Sequence, residues 1–312
     1  TVILMSADGA EITRLPGEAD APQILAALQA ALAGGRPIKA VLADAQAGRA
    51  PTANEWRMLA FYSWETDEAQ LVAAEGRPAL LAELASKAPG SERETSLRLW
   101  LKALAASDDG KGLKPDAALR ARVDGVLANP AVARAHMDVL IYGADDMVKV
   151  LTEDDSPQRE ALKRQFDAVL QRLQADGSLS RGDRLSALLG RVGLARIGVA
   201  KNELRPRLPE ALQREVRDTA ARLDREITDG YERQSVITAA AYVLGQAGLW
   251  AESDALLKNN LGKSHSAYYL MSQLGSNARK QGRADEALQW YQKAFDQSVG
   301  PATRLQWGAG YF

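Results

Sequence analysis

Residues 267–301 read AYYLMSQLGSNARKQGRADEALQWYQKAFDQSVGP, and their spacing decides the fold. Leu274, Gly275 and Ala278 recur at helical intervals, Gly282 interrupts them, and Ala287, Tyr291 and Ala294 resume the pattern, with Pro301 closing it. Small side chains are needed where the two helices of a hairpin touch, and larger ones fill the space between hairpins. The stretch is therefore expected to be one helical hairpin turning at Gly282. Gly248 lies 34 residues earlier, and Ala241, Leu244 and Ser253 surround it as a weaker copy. A third copy opens at Arg304, where Leu305, Trp307, Gly308 and Tyr311 begin a helix, so the chain is expected to stop at Phe312 within a repeat. Upstream of Tyr231 the period is lost.

Between Pro37 and Gly230 the sequence carries no further convincing strand. Apolar residues at helical spacing are punctuated by residues 48–51, Pro89-Gly90, residues 108–115, Asn129-Pro130, Asp155-Ser156-Pro157, Gly177 and Pro206 to Pro209. Each break holds a residue that caps, stops or restarts a helix. The intervals suit helical hairpins, the unit of an α-solenoid. Residues 107–112, rich in Asp and Gly, are the expected mobile loop.

The opening thirty-odd residues differ. Val2 to Met5 is a short apolar run, and Asp8-Gly9 supplies a turn in which glycine takes the left-handed position. Glu11-Ile12-Thr13-Arg14-Leu15 then alternates with the period of a half-buried strand. Asp20 suits an N-cap, Pro22 the first helical turn, and Ile24, Leu25, Leu28 and Leu32 one apolar stripe that ends at Gly34-Gly35. One hairpin and one helix bury too little to stand alone.

This strand–turn–strand–helix resembles the closing portion of thioredoxin, its elements falling at residues 1–5, Asp8-Gly9, 11–15, Gly17 and 24–32. In that family a cis-proline loop immediately precedes the first of these strands, and a Cys-x-x-Cys pair lies further upstream; neither is in this chain. The resemblance implies a start at an interior point of a longer protein, and no residue here inherits redox activity. The Trp56 to Trp64 stretch is similar to the segment after the thioredoxin domain in bacterial thioredoxin-family proteins with helical extensions. Residues 231–312 resemble tetratricopeptide repeats, whose repeat length is the 34 residues separating Gly248 from Gly282. The expected architecture is mainly α: a short N-terminal ββα thioredoxin remnant (1–35), a linker (36–51), a helical-hairpin domain (52–230) and a tetratricopeptide-like solenoid (231–312).

Composition narrows the chemistry. There are no cysteines and two histidines, and 39 basic residues stand against 40 acidic ones. Thiol catalysis, disulfides and thiolate metal sites are excluded, as is a three-histidine zinc site. No basic stripe marks a nucleic-acid binder, no apolar run is long enough to span a bilayer, and no cofactor or metal is expected. Asp145, Asp146, Glu153, Asp154 and Asp155 are better read as the acids of helix ends than as metal ligands. His136 suits a hydrogen-bonded place in an Ala-rich helix, and His265 a helix start. Gly190-Arg191-Val192-Gly193 and Gly198 lack the preceding strand and the Lys-Ser/Thr of a phosphate loop, which leaves close helix packing as their expected role. The six tryptophans are expected in core packing.

Carrying the repeat family's groove positions onto this sequence gives Tyr269, Ser272, Ser276, Arg279 and Lys280 in the better copy and Ser235, Thr238 and Tyr242 in the weaker one. Arg279 and Lys280 suit a carboxylate or an acidic peptide, and the tyrosines offer flat amphipathic contacts. The expected function is non-catalytic protein or peptide binding by the helical extension of a thioredoxin-family protein. The alternative is the non-redox remainder of an exported thiol–disulfide oxidoreductase whose Cys-x-x-Cys and cis-proline lie upstream. A carboxylate-based helical hydrolase is a third reading. The family resemblance implies a periplasmic setting, with the cytoplasm as alternative, and allows self-association through the incomplete thioredoxin-like segment.

Overall fold

The computed structural model describes residues 2–16, 21–32, 35–67, 71–107 and 112–311. The expected cap at Asp20, the glycines at 17 and 34, and residues 108–111 of the expected mobile loop lie outside these. Among the described residues the protein is mainly helical, with sixteen α-helices and one two-stranded sheet. The chain divides into two compact units, Thr1–Val169 and Leu170–Phe312.

The first unit opens with β1 (Val2–Met5) and β2 (Glu11–Leu15), paired antiparallel with Val2 opposite Leu15 and a register slip between Leu4 and Met5. Gly9, at φ +87°, supplies the turn. The hairpin is not an appendage. Ile12 and Leu15 are buried, and Ile12 enters a core shared with Ile38, Val41, Trp56, Tyr62 and Trp64. The Ser63 N–H donates to the Arg14 carbonyl at 2.8 Å. That contact answers the instability of a lone hairpin.

Helix α1 spans Ala21–Leu32, α2 Ile38–Gln46 and α3 Ala53–Phe61. The segment expected as a linker thus carries α2. Ile38, Val41, Leu42 and Ala45 recur at core spacing along it, and all are buried. Only nine residues long, α2 is overshadowed in the sequence by Pro37 and Gly48 on either side. Helix α3 starts with a capping box: Thr52 Oγ1 accepts from the Glu55 N–H, and Glu55 accepts from the Thr52 N–H at 2.8 Å. Helices α4 (Arg77–Lys87) and α5 (Arg93–Ala105) pack on each other. Then come α6 (Ala117–Ala128), α7 (Pro130–Ala135), α8 (Met137–Leu151), which lies against α5, and α9 (Pro157–Ala175), within which the boundary between the units falls.

The second unit continues with α10 (Arg181–Ala195), α11 (Glu210–Glu226), α12 (Gly230–Gln246), α13 (Trp250–Lys258), α14 (Ala267–Lys280), α15 (Ala284–Gln297) and α16 (Pro301–Tyr311). Helix α12 packs on α13 and α14 on α15, while α12 also touches α10 and α14. The turn geometry repeats at a 34-residue offset. Gly248 and Gly282 sit at φ +79° and +74°. The bonds Gly248 N to Gly245 O, Leu249 N to Leu244 O and Ser253 N to Leu249 O recur as Gly282 N to Arg279 O, Arg283 N to Ala278 O and Ala287 N to Arg283 O.

Helix contact is closest at the small residues. A Cβ on Gly275 would lie 2.6 Å from Cε1 of Tyr291, and one on Gly245 would lie 2.9 Å from the Trp250 ring. Gly193, by contrast, would meet nothing within 4 Å, and Gly198 turns the chain at φ +84°. The expectation of close helix packing therefore fails at both glycines. Gly198 serves the left-handed turn after α10, and a side chain at 193 would have open space.

These distances separate two substitutions that look alike in sequence. Gly275→Ala should destabilise by about 1–3 kcal/mol, because the Tyr291 ring must move. Gly193→Ala should be neutral or stabilising by up to about 1 kcal/mol through helix propensity alone. Urea melts of the two variants check the ordering; equal midpoints would show that the α14–α15 contact is not tight.

Candidate functional site

The most charged interior point of the first unit surrounds Arg98 on α5, which is 1% exposed. Its guanidinium donates to the Ala60 carbonyl at 3.2 Å, to Asp138 Oδ1 at 3.1 Å and also to Asp138 Oδ2. It lies 4.0 Å from the Phe61 ring centroid. One turn along α5, Lys102 Nζ donates to the Tyr62 carbonyl at 2.6 Å. Two cations thus meet the carbonyls at the end of α3, the negative pole of that helix, and Asp138 on α8 neutralises one of them. Burial pushes the Lys102 amine down to about 8, and Arg98 adds to the shift. Burial alone would raise the Asp138 carboxyl, but Arg98 overcomes it and holds the group below its usual range. His136 is 1% exposed, its Nδ1 lies 2.9 Å from the Val132 carbonyl, and burial holds the ring toward neutrality. This cluster has the residues of an acid–base site but is closed to substrate. Its role is to pin α3, α5 and α8 together.

Three of the five carboxylates at 145–155 are matched by cations. Lys149 meets Asp145 at 3.1 Å and Asp146 at 2.9 Å, and Arg159 meets Asp154. Ser156 Oγ accepts from the Arg159 N–H at 3.1 Å as the cap of α9. Among the described residues no group of three or more His, Asp or Glu side chains could hold a metal. His265 stacks on Tyr231, with ring centroids 3.7 Å apart. Trp56, Trp64 and Trp250 are buried, and the Trp64 and Trp250 indoles donate to the carbonyls of Leu59 and Leu204.

In the second unit, the eight expected groove residues lie on α12 and α14, whose equivalent positions are 34 residues apart: Ser235 with Tyr269, Thr238 with Ser272, Tyr242 with Ser276. They are not equally available. Ser235 and Thr238 return their hydroxyls to the Glu232 and Gln234 carbonyls of their own helix. Tyr269 is half-buried and sits 5.2 Å from Trp307 of α16 in edge geometry, which removes it from an open groove. Ser272 and Ser276 are half-buried. Tyr242, Arg279 and Lys280 are exposed, and Lys280 Nζ lies 5.3 Å from the Tyr242 ring centroid.

Arg196 joins them. It follows α10, outside the recognisable repeats, and spans to α12 by donating to the Gln246 carbonyl at 2.8 Å. Burial lowers the pKa of Lys280, and the charges of Arg279 and Arg196 lower it further. Sequence spacing alone held no signal for Arg196, because the period is lost before Tyr231.

Comparison of the chain with protein-family models, with curated proteins and with solved structures returned no match.

The buried cluster has a defined pH signature. The Lys102 proton is held less tightly in the folded chain (about 8) than in an unfolded one (10.5). The unfolded state therefore binds more protons between these values, and stability rises with pH across that window. The contribution is about 3 kcal/mol at most. Urea melts at pH values of about 7.5, 8.5 and 9.5 should show this rise in the parent and its absence in Lys102→Met; identical slopes would mean the amine is hydrated. Asp138→Ala, which strands Arg98 without its counter-charge, should cost about 3–5 kcal/mol in the same melts at neutral pH.

Proposed function

We propose that this chain is the non-catalytic, protein-binding helical portion of a thioredoxin-family protein, with the second unit acting as a tetratricopeptide-like platform and the opening ββα segment as the end of a thioredoxin-like fold. The recurrence of turn conformation and hydrogen bonds at a 34-residue offset is the observation that carries the reading. Helical hairpins repeated in this way present their first helices as a continuous face, which is how such scaffolds bind extended partners. The α12–α14 contact and the exposure of Tyr242, Arg279 and Lys280 fit that use. With no cysteine, the chain has no residue for thiol–disulfide exchange. A partner held by this face would be presented to redox chemistry done elsewhere. A periplasmic setting belongs to the same proposal.

The second reading, the non-redox remainder of a thiol–disulfide oxidoreductase, draws on β1. Val2, Ile3 and Met5 are 39%, 45% and 60% exposed, an apolar outer strand of the kind that pairs with another.

Placing a photo-crosslinking residue singly at Ser272, Ser276 and the exposed Gln289 of α15 tests the platform. Crosslinked partner protein should be recovered several-fold more from positions 272 and 276 than from 289. Equal yields from all three would remove α14 as the binding face.

A further inference from the structure

Several cations of the second unit that hold helices together are matched to carboxylates. Arg191 meets Glu215 at 2.7 Å, Arg233 meets Asp224 at 2.7 Å, Arg181 meets Glu232 at 2.8 Å, and Arg283 meets Asp254 at 2.9 Å. Arg279 and Lys280, at the exposed end of α14, are not so matched. They are adjacent in sequence, and among the described residues neither makes an ion pair. Arg196 stands within electrostatic reach of Lys280, held there by its bonds to the Gln246 and Glu203 carbonyls.

Nearby acids cannot turn to them without cost. Asp254 already accepts from Asn277 at 2.8 Å and from Arg283. Glu203 accepts from the Arg205 N–H at 2.6 Å. Like charges gathered without a counter-ion repel one another, and an incoming anion would relieve that repulsion. Tyr242 lies beside them with its ring exposed, a flat apolar surface with a polar tip.

Resting on the protein-binding reading above, we propose that the Arg196–Tyr242–Arg279–Lys280 end of the α12–α14 face docks an acidic peptide segment of a partner protein, its carboxylates held by the three cations and an apolar side chain laid on Tyr242. Carboxylate is the chemistry that fits. The cations form one compact cluster rather than a stripe that could follow a nucleic-acid backbone, and the chain as a whole carries a net charge of −1. Docking should return Lys280 toward its ordinary pKa.

The test is fluorescence anisotropy on the full chain. The probes are a labelled ten-residue peptide of alternating Glu and Leu, its Gln-for-Glu counterpart, and a single-stranded oligonucleotide of equal charge, with inorganic phosphate as competitor. The Glu peptide should bind and weaken as salt is raised, and the Gln peptide should bind at least roughly tenfold more weakly. Arg279→Glu with Lys280→Glu, both at exposed positions in the last turn of α14, should abolish binding while the chain stays folded, its melt lowered only by the loss of charge–dipole support. Arg279→Gln with Lys280→Gln should weaken binding at least roughly tenfold with a smaller change in the melt. Equal affinity for the Glu and Gln peptides would overturn the inference, as would an oligonucleotide or phosphate that binds as tightly as the Glu peptide. If crosslinking from Ser272 and Ser276 persists while acidic selectivity fails, this inference falls alone; if both fail, the platform reading falls with it.

Discussion

The first unit depends on a guanidinium placed out of reach of water. A charge in that position is tolerated only if every donor is met and a counter-charge stands close by. Each nitrogen of Arg98 meets an acceptor, the Ala60 carbonyl or an oxygen of Asp138, and Asp138 is the counter-charge, which joins α3, α5 and α8 in one arrangement. Lys102 adds a second cation beneath the same helix end and binds the Tyr62 carbonyl. The backbone just beyond, at Ser63, then meets the Arg14 carbonyl of β2. The hairpin is thus fixed to the helices through the segment that the buried cations hold. Apolar packing alone would let α3 slide along α5; directional bonds to its last carbonyls do not.

The second unit is held by spacing rather than by buried charge. Glycine at 275 lets Tyr291 lie against the α14 backbone, and glycine at 245 does the same for Trp250. A short polar ladder runs through this close contact: Ser253 Oγ donates to the Ala241 carbonyl at 2.7 Å and accepts from Asn277, which also donates to Asp254. Small residues set how near the helices come, and the ladder sets their register. The turns at Gly248 and Gly282 are built from equivalent bonds.

The proposed docking draws on charges that the fold leaves without a carboxylate. Arg98, Arg191, Arg233 and Arg283, which join helices, each meet a carboxylate. At the ends of α10, α12 and α14 the chain supplies cations and an aromatic ring without one. A surface that retains uncompensated charge beside an exposed ring is suited to a partner bringing the opposite charge.

Much of this was legible in the primary structure. Helical dominance, the opening hairpin with its turn at Gly9, and the stops at Gly248 and Gly282 follow from local rules, because strand alternation, helical periodicity and left-handed glycine positions are properties of neighbouring residues. The candidate face was legible only in part. The repeat family's groove positions, carried onto this chain, named Tyr242, Arg279 and Lys280, but they could not show that Trp307 packs on Tyr269 or that Arg196 reaches Gln246 from a helix outside the period. Spacing also read the core helix α2 as a linker, since nine residues between Pro37 and Gly48 hold too short a pattern to stand out. The sequence by itself determined most of the segments that are helix, strand or turn, and which thiol chemistry the absence of cysteine forbids. Only the tertiary structure decided which charges are buried, matched or left open, because a partner forty residues away in the chain, as Asp138 is to Arg98, leaves no trace in local spacing.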